Sequence, residues 1–156
     1  DFPLIRSVNI DMFETLKHKM LTEQISRIAM TGHIQNKPYN VIQQMGKYNI
    51  VEVSQTADYR KSAVWSMWSK DYFMKYLHGT SNLWEWELDT RIKNDGHRIL
   101  GTESSNIIQA CHLFKKGKLK QNWFQDSEST DEAYAEDKVA IQQFLAKWKS
   151  EGVIQL

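Results

Sequence analysis

Four of the six tryptophans fall in two short runs, Trp65-Ser66-Met67-Trp68 and Trp84-Glu85-Trp86-Glu87, and Asp89 and Arg91 follow the second run closely. An indole carries a large apolar surface, so both runs have to be packed against something. Two arrangements satisfy that demand. The indoles can form the core side of an amphipathic helix. Alternatively they can wall a pocket that stacks a flat or sugar-like ligand while the interleaved acids point at it. Spacing alone leaves both open.

The rest of the composition bounds what surrounds those runs. A chain of 156 residues, with 41% hydrophobic and 25% charged side chains, is expected to form one domain over 1–156 with an ordinary core. A net charge of +1 gives no global attraction to nucleic acid or to an anionic membrane. The single cysteine, Cys111, leaves no internal disulfide and suits a reducing compartment, so a cytoplasmic location is expected. No apolar run reaches the roughly 18 residues that span a bilayer, and no signal peptide is evident. The first residue is Asp1, which predicts a processed chain or a part of a longer one.

Periodicity predicts a mixed α and β fold. Asn9 or Ser7 caps a helix through about Lys19, with Ile10, Phe13, Leu16 and Met20 at helical spacing. Residues 25–30 can extend that helix or form a buried strand, with Thr31-Gly32 directly after them favouring the strand; 32–49 read as loop with a helical turn near 40–45, and 49–54 as an alternating strand. Ser69 caps a helix over 70–77 that Gly79 ends, and Asn82 caps another from Leu83 to about Lys93. A short strand is expected over 97–101 and a hairpin within 107–119, turning at Lys116-Gly117-Lys118. Ser129-Thr130-Asp131-Glu132 reads as a capping box for a long helix over 133–149, with Val139, Ile141, Phe144, Leu145 and Trp148 on its apolar side.

If 83–93 is one helix, Trp84, Glu87, Leu88 and Arg91 share a face, and Glu85 and Asp89 share another. Each acid then has an ordinary surface explanation, since Glu87 with Arg91 and Asp89 with Lys93 are i,i+4 ion pairs. The functional alternative is an acid desolvated by the two indoles around Glu85, which raises its pKa and suits it to act as a general base. Glu87 is the first candidate and Glu85 the second. His97 and His112 are lone histidines, more often structural than ligating, and no H-x-x-x-H or C-x-x-C pair occurs. Dinucleotide-binding, P-loop and nucleophile-elbow motifs are absent too. Lys115, Lys116, Lys118 and Lys120 precede Trp123 and Phe124 and can engage a phosphate backbone or a nucleotide diphosphate. The acidic stretch 126–137 nearly cancels that patch, which favours a solvated hairpin.

With those residues in view, the chain resembles a family. Residues 59–73, Tyr59 through Trp65, Trp68, Lys70 and Tyr72 to Phe73, are similar to a tyrosine, serine and W-x-K-x-Y/F-L segment of bacterial and viral sugar transferases of the GT-A type. Trp84-Glu85-Trp86-Glu87 stands where that family has a W-E-F-E-like run. The stretch 108–123, with Lys116-Gly117-Lys118, is similar to a strand and G-K-W segment near the end of the same domain. The likeness covers roughly 55–123 and rests on one long pattern.

The resemblance implies the acceptor-side half of such an enzyme, an α/β arrangement with a short sheet, several helices and a long C-terminal helix. It implies transfer of a sugar from a nucleotide-diphosphate donor to an acceptor hydroxyl, with Glu87, Glu85 or Asp89 as base, the last two in reserve. The same comparison extends to the W-G-W-G-G-E-D pattern of galactosyltransferase-like enzymes. By the likeness Trp65, Trp68, Trp84, Trp86, Arg91, Lys116 and Lys118 contact substrate. Asp1, as the tail of an acidic motif, and His112 would hold Mn²⁺ or Mg²⁺. No nucleotide-binding half precedes Asp1 in this sequence. Two other readings stand beside it: a non-catalytic module that binds carbohydrate or a protein partner through the tryptophans, and a nucleic-acid-binding or DNA-modifying viral protein using 115–124.

Overall fold

The structure, a computed structural model, describes residues 7–30, 38–77, 82–103, 107–108, 114–115, 118–119 and 131–152. By its internal contacts the chain divides into two compact units, Val8–Ile108 and a second made of Asp1–Ser7 with Gln109–Leu156. The class is mixed α/β, built on a five-stranded sheet.

In the first unit, helix α1 (Ile10–Thr22) starts at Asn9, whose Oδ1 accepts from the Met12 amide at 3.1 Å while its Nδ2 donates to the Tyr48 hydroxyl at 2.9 Å. The cap therefore also ties the helix to the sheet. Strands β1 (Ile25–Ala29), β2 (Tyr39–Met45), β3 (Tyr48–Val53), β4 (Ser66–Trp68) and β5 (Arg98–Glu103) line up in the order β2-β3-β5-β1-β4. Only β1 and β5 run parallel; the other neighbours are antiparallel. Every residue of β1 is buried, as a central strand covered on both faces requires.

Alternation along the strands divides the core in two. On one face Leu16 and Met20 of α1 pack on Ile25, Ile28, Tyr48, Ile50 and Leu100, with Trp65 and Met67 against them. On the other, Val53 and Ile99 meet Ala57, Ile92, and the aromatic side of α2 (Lys70–Tyr76), Tyr72 and Tyr76, with Trp68 against them. The short helix α3 (Leu83–Glu87) lies on this second side, where Trp86 meets Trp68 and Phe73. Ser69 caps α2 by accepting from the Tyr72 amide.

Two expectations give way here. Residues 40–45 are not a helical turn but most of β2, since Val41 and Ile42 favour extended backbone and Gly46, at φ +59°, makes the tight turn into β3. The helix expected over 83–93 stops at Glu87. The Asp89 carboxylate takes the Arg91 amide at 3.0 Å, capping a separate 3₁₀ turn at Thr90–Ile92. With the helix broken, the expected Glu87–Arg91 and Asp89–Lys93 pairs are replaced: Asp89 pairs with Arg91 and Lys61, and Lys93 with Asp58. The strand β4 was not anticipated at all.

The second unit contains a hairpin, β6 (Phe114–Lys115) with β7 (Lys118–Leu119), and helix α4 (Asp131–Ser150). The expected hairpin is shorter than 107–119, for Ile107 and Ile108 belong to the first unit, where their amides both donate to the Met30 carbonyl. Along α4, Ile141 and Leu145 are buried and Phe144 packs on Trp148, while Val139, expected on the apolar side, is exposed. Gly152, at φ +70°, follows its end. The expected capping residues Ser129 and Thr130 and the helix stop at Gly79 lie outside the described residues. Among the described residues no helix is long and apolar enough to cross a membrane.

Candidate functional site

The two tryptophan runs meet on the second face of the sheet. Trp68, at the end of β4, lies nearly parallel to Tyr72 with centroids 5.9 Å apart, and its ring is 5.6 Å from both Phe73 and Trp86. Trp86 is buried, and its Nε1 donates to the Tyr76 carbonyl at 2.8 Å, the bond a buried indole needs. Alternation sends Trp65 to the opposite face, against the α1 side of the core. Of Trp84 only the backbone, in α3, is described.

Three cations are buried around these rings. Arg27, Arg60 and Lys61 expose at most 1% of their surface. Arg60 spends its whole guanidinium: Nε goes to the Ile92 carbonyl, Nη1 to those of Val53 and Ser54, and Nη2 to the His97 carbonyl and Asp95 Oδ1. Lys61 donates to Asp89 Oδ2 at 2.9 Å and sits 5.0 Å from the Trp86 ring and 5.3 Å from that of Tyr76. Arg27 lies 5.1 Å over Trp68 and donates to Ser66 Oγ and the Arg60 carbonyl. Burial brings its pKa down to about 10, with Tyr72 and Glu87 opposing that fall.

These cations fix the segment between β3 and β4 to the rest of the unit. Arg27 holds its middle, at the Arg60 carbonyl, and the start of β4 where it ends, at Ser66, while Lys61 ties its middle to Asp89. The Ala63 amide is thereby brought to Glu87 Oε1, to which it donates at 2.6 Å. Beside this segment, Asp95 accepts from the Tyr76 hydroxyl at 3.1 Å, and His97 bridges Ser26 Oγ at 2.8 Å and Lys75 Nζ at 3.2 Å. The Tyr72 hydroxyl is buried with no hydrogen-bond partner among the described residues, and burial pushes its pKa well up.

The three candidate acids thus have different occupations. Glu85 is exposed and forms a reciprocal cap with Asn82, so the desolvation expected for it does not arise. Asp89 is held well below the usual carboxylate range by hydrogen bonds from Arg91 and Lys61, against a smaller opposing effect of burial. Glu87 is half-buried, and among the described residues its Oε2 makes no hydrogen bond. Arg91 is exposed and committed to Asp89. Lys118 lies in β7, its side chain undescribed; Lys116, Asp1 and His112 fall outside the described residues. No group of three or more His, Cys, Asp or Glu suited to a metal ion occurs among the described residues.

Sequence reasoning missed Arg27, Arg60 and Lys61. Arg27 falls inside the run expected as a buried strand, which was a signal for its burial, whereas Tyr59 and Ser62 beside Arg60 and Lys61 are polar and nothing local marks those two as buried. Compared with protein families, curated proteins and solved structures, the chain finds no match.

Proposed function

We propose that this chain is the acceptor-side part of a nucleotide-sugar-dependent glycosyltransferase in which Glu87 is the general base. One observation carries the reading: of the three acids beside the tryptophans, only Glu87 is both half-buried and left with an oxygen uncommitted among the described residues. The Ala63 amide fixes one carboxylate oxygen. The other takes the proton of an acceptor hydroxyl as that oxygen bonds to the anomeric carbon and the bond to the nucleotide diphosphate breaks. The half-buried residues Trp68 and Phe73, packed on each other, are the aromatic surface this reading assigns to a sugar. A divalent metal, which in this reading neutralises the leaving diphosphate, would fall to Asp1 and His112; the described residues do not provide a set of ligands for it.

The test has two stages, both on the complete protein. A thermal-shift screen with UDP, GDP, dTDP and CMP sugars, with and without Mn²⁺, is expected to single out one nucleotide. A donor at a hundred times its Kd adds about 2.7 kcal/mol to stability. No shift with any of them overturns the donor class. Glu87→Gln, which keeps the Ala63 hydrogen bond and removes the base, is then expected to lower transfer by about 10²–10⁴-fold while sparing donor binding. Near-normal turnover removes Glu87 from the reaction.

A second reading, a non-catalytic module for carbohydrate or a protein partner, rests on the half-buried Trp68, since Trp86 is committed to the core through Tyr76. It predicts sugar binding without nucleotide dependence.

A further inference from the structure

The acids around the tryptophans are matched to buried cations, and one exposed cation is left over. Asp89 takes Lys61 Nζ at 2.9 Å, and Asp95 takes Arg60. Glu87 interacts electrostatically with Arg27, a buried guanidinium with no carboxylate bonded to it among the described residues. Glu85 lies at the start of α3, where it accepts from the Asn82 amide. Arg91 is the surplus charge, and 62% of its side chain stands in water. It is nevertheless held in place. Its amide donates to Asp89 Oδ1 at 3.0 Å, the next residue, Ile92, is buried in the second core cluster, and the Ile92 carbonyl accepts from Arg60 Nε at 3.1 Å. The guanidinium is oriented as well: Nε and Nη2 lie along the Asp89 carboxylate at 2.9 and 2.7 Å, and Lys61 holds that carboxylate in turn. A guanidinium has more than one pair of N–H groups that can grip an oxyanion. Asp89 occupies the Nε–Nη2 edge, and Nη1 makes no hydrogen bond among the described residues.

We propose that the outer edge of Arg91 recognises an oxyanion of the substrate, a carboxylate on an acidic sugar or a phosphate, so that the face beside Glu87 selects an anionic ligand over its neutral counterpart. The inference rests on the reading that this face takes a sugar, and it adds what that sugar or its donor must carry. Four residues separate Arg91 from Glu87, so their Cα atoms stand within about 14 Å of each other, close enough for one substrate to meet both. A fork held in advance loses little freedom on binding, and its planar pair of N–H groups matches two oxygens of a carboxylate or phosphate. Asp89 does not turn such a group away, because the trio of Lys61, Asp89 and Arg91 keeps a net positive charge.

The test titrates the full chain, by amide shifts in NMR, with methyl β-glucoside, with methyl β-glucuronide (the same ring carrying a carboxylate) and with inorganic pyrophosphate. The glucuronide is expected to bind at least about tenfold more tightly than the glucoside, the worth of a charge-assisted pair of hydrogen bonds. Arg91→Gln should bring the two sugars to equal affinity with unchanged circular dichroism, since Arg91 is exposed and Lys61 still partners Asp89. If pyrophosphate binding is what Arg91→Gln removes instead, the oxyanion is a phosphate of the donor and the inference holds with that source. An anion preference that survives Arg91→Gln overturns it, and so does a wild-type chain that prefers neither anion. Glucoside and glucuronide binding equally, with pyrophosphate unbound, removes the role of Arg91 and leaves the sugar surface standing. A nucleotide-sugar screen without a shift, with Arg91-dependent anion binding intact, removes the glycosyltransferase reading and leaves the role of Arg91.

Discussion

Lys61, with no side-chain surface exposed, donates to Asp89 at 2.9 Å across 28 residues of sequence. That contact joins the segment between β3 and β4 to the turn after α3, and it places Ala63 beside Glu87.

A buried pair of this kind is strongest as evidence when one member is removed. Asp89→Asn leaves an ammonium inside the ring cage of Tyr76 and Trp86 with only a neutral partner. The expected loss is about 3 kcal/mol or more in urea unfolding. The double variant Lys61→Met/Asp89→Leu should recover much of that loss, because it removes both desolvated charges together. If the double variant is as unstable as the single one, the pair contributes through packing rather than charge.

Arg60 makes a second, sharper prediction. Five acceptors surround its fork, four of them backbone carbonyls. A lysine has one nitrogen and cannot reach them all, so Arg60→Lys strands several buried carbonyls at about 1–3 kcal/mol each. Equilibrium unfolding should show a loss of at least about 3 kcal/mol despite the conserved charge. A loss below about 1 kcal/mol would mean that water takes over these carbonyls.

His97 should make the fold sensitive to mild acid. The Lys75 ammonium can only donate, so it requires a lone pair on Nε2, and Nδ1 then carries the hydrogen toward Ser26. Burial lowers the pKa of this ring below its ordinary 6.5; Lys75 and Arg60 add to the fall and Asp95 opposes it. Between the lowered folded value and the unfolded one, the unfolded chain binds more protons, so stability rises with pH. The contribution is complete above about pH 6.5 and is lost as pH falls through the folded value. Urea midpoints measured from about pH 5 to about pH 8 should show this slope, and His97→Gln should flatten it. An unchanged slope in the variant would assign the effect to another group.

Much of the local structure was legible from single residues. Asn9 and Ser69 have side chains that cap a helix wherever the following residues permit one, and both do so. The apolar residues Ile50, Val51 and Val53 picked out residues 49–54 as a strand, and β3 buries all three. Asn82 announced the start of α3 for the same local reason. Where α3 stops was not legible, because Asp89 answers to Lys61, far off in sequence, and not to its helical neighbour Lys93. The tryptophans showed the same limit. Their number required packing, and the sequence could not divide Trp65, just before β4, from Trp68 at its end, although the two pack on different core clusters. Caps, turns and strand periods are short-range and were determined by the sequence read on its own. The burial of Arg60 and Lys61, and with it the position of Glu87, was decided only by tertiary structure, because a charge enters the interior only where distant carbonyls and carboxylates gather around it.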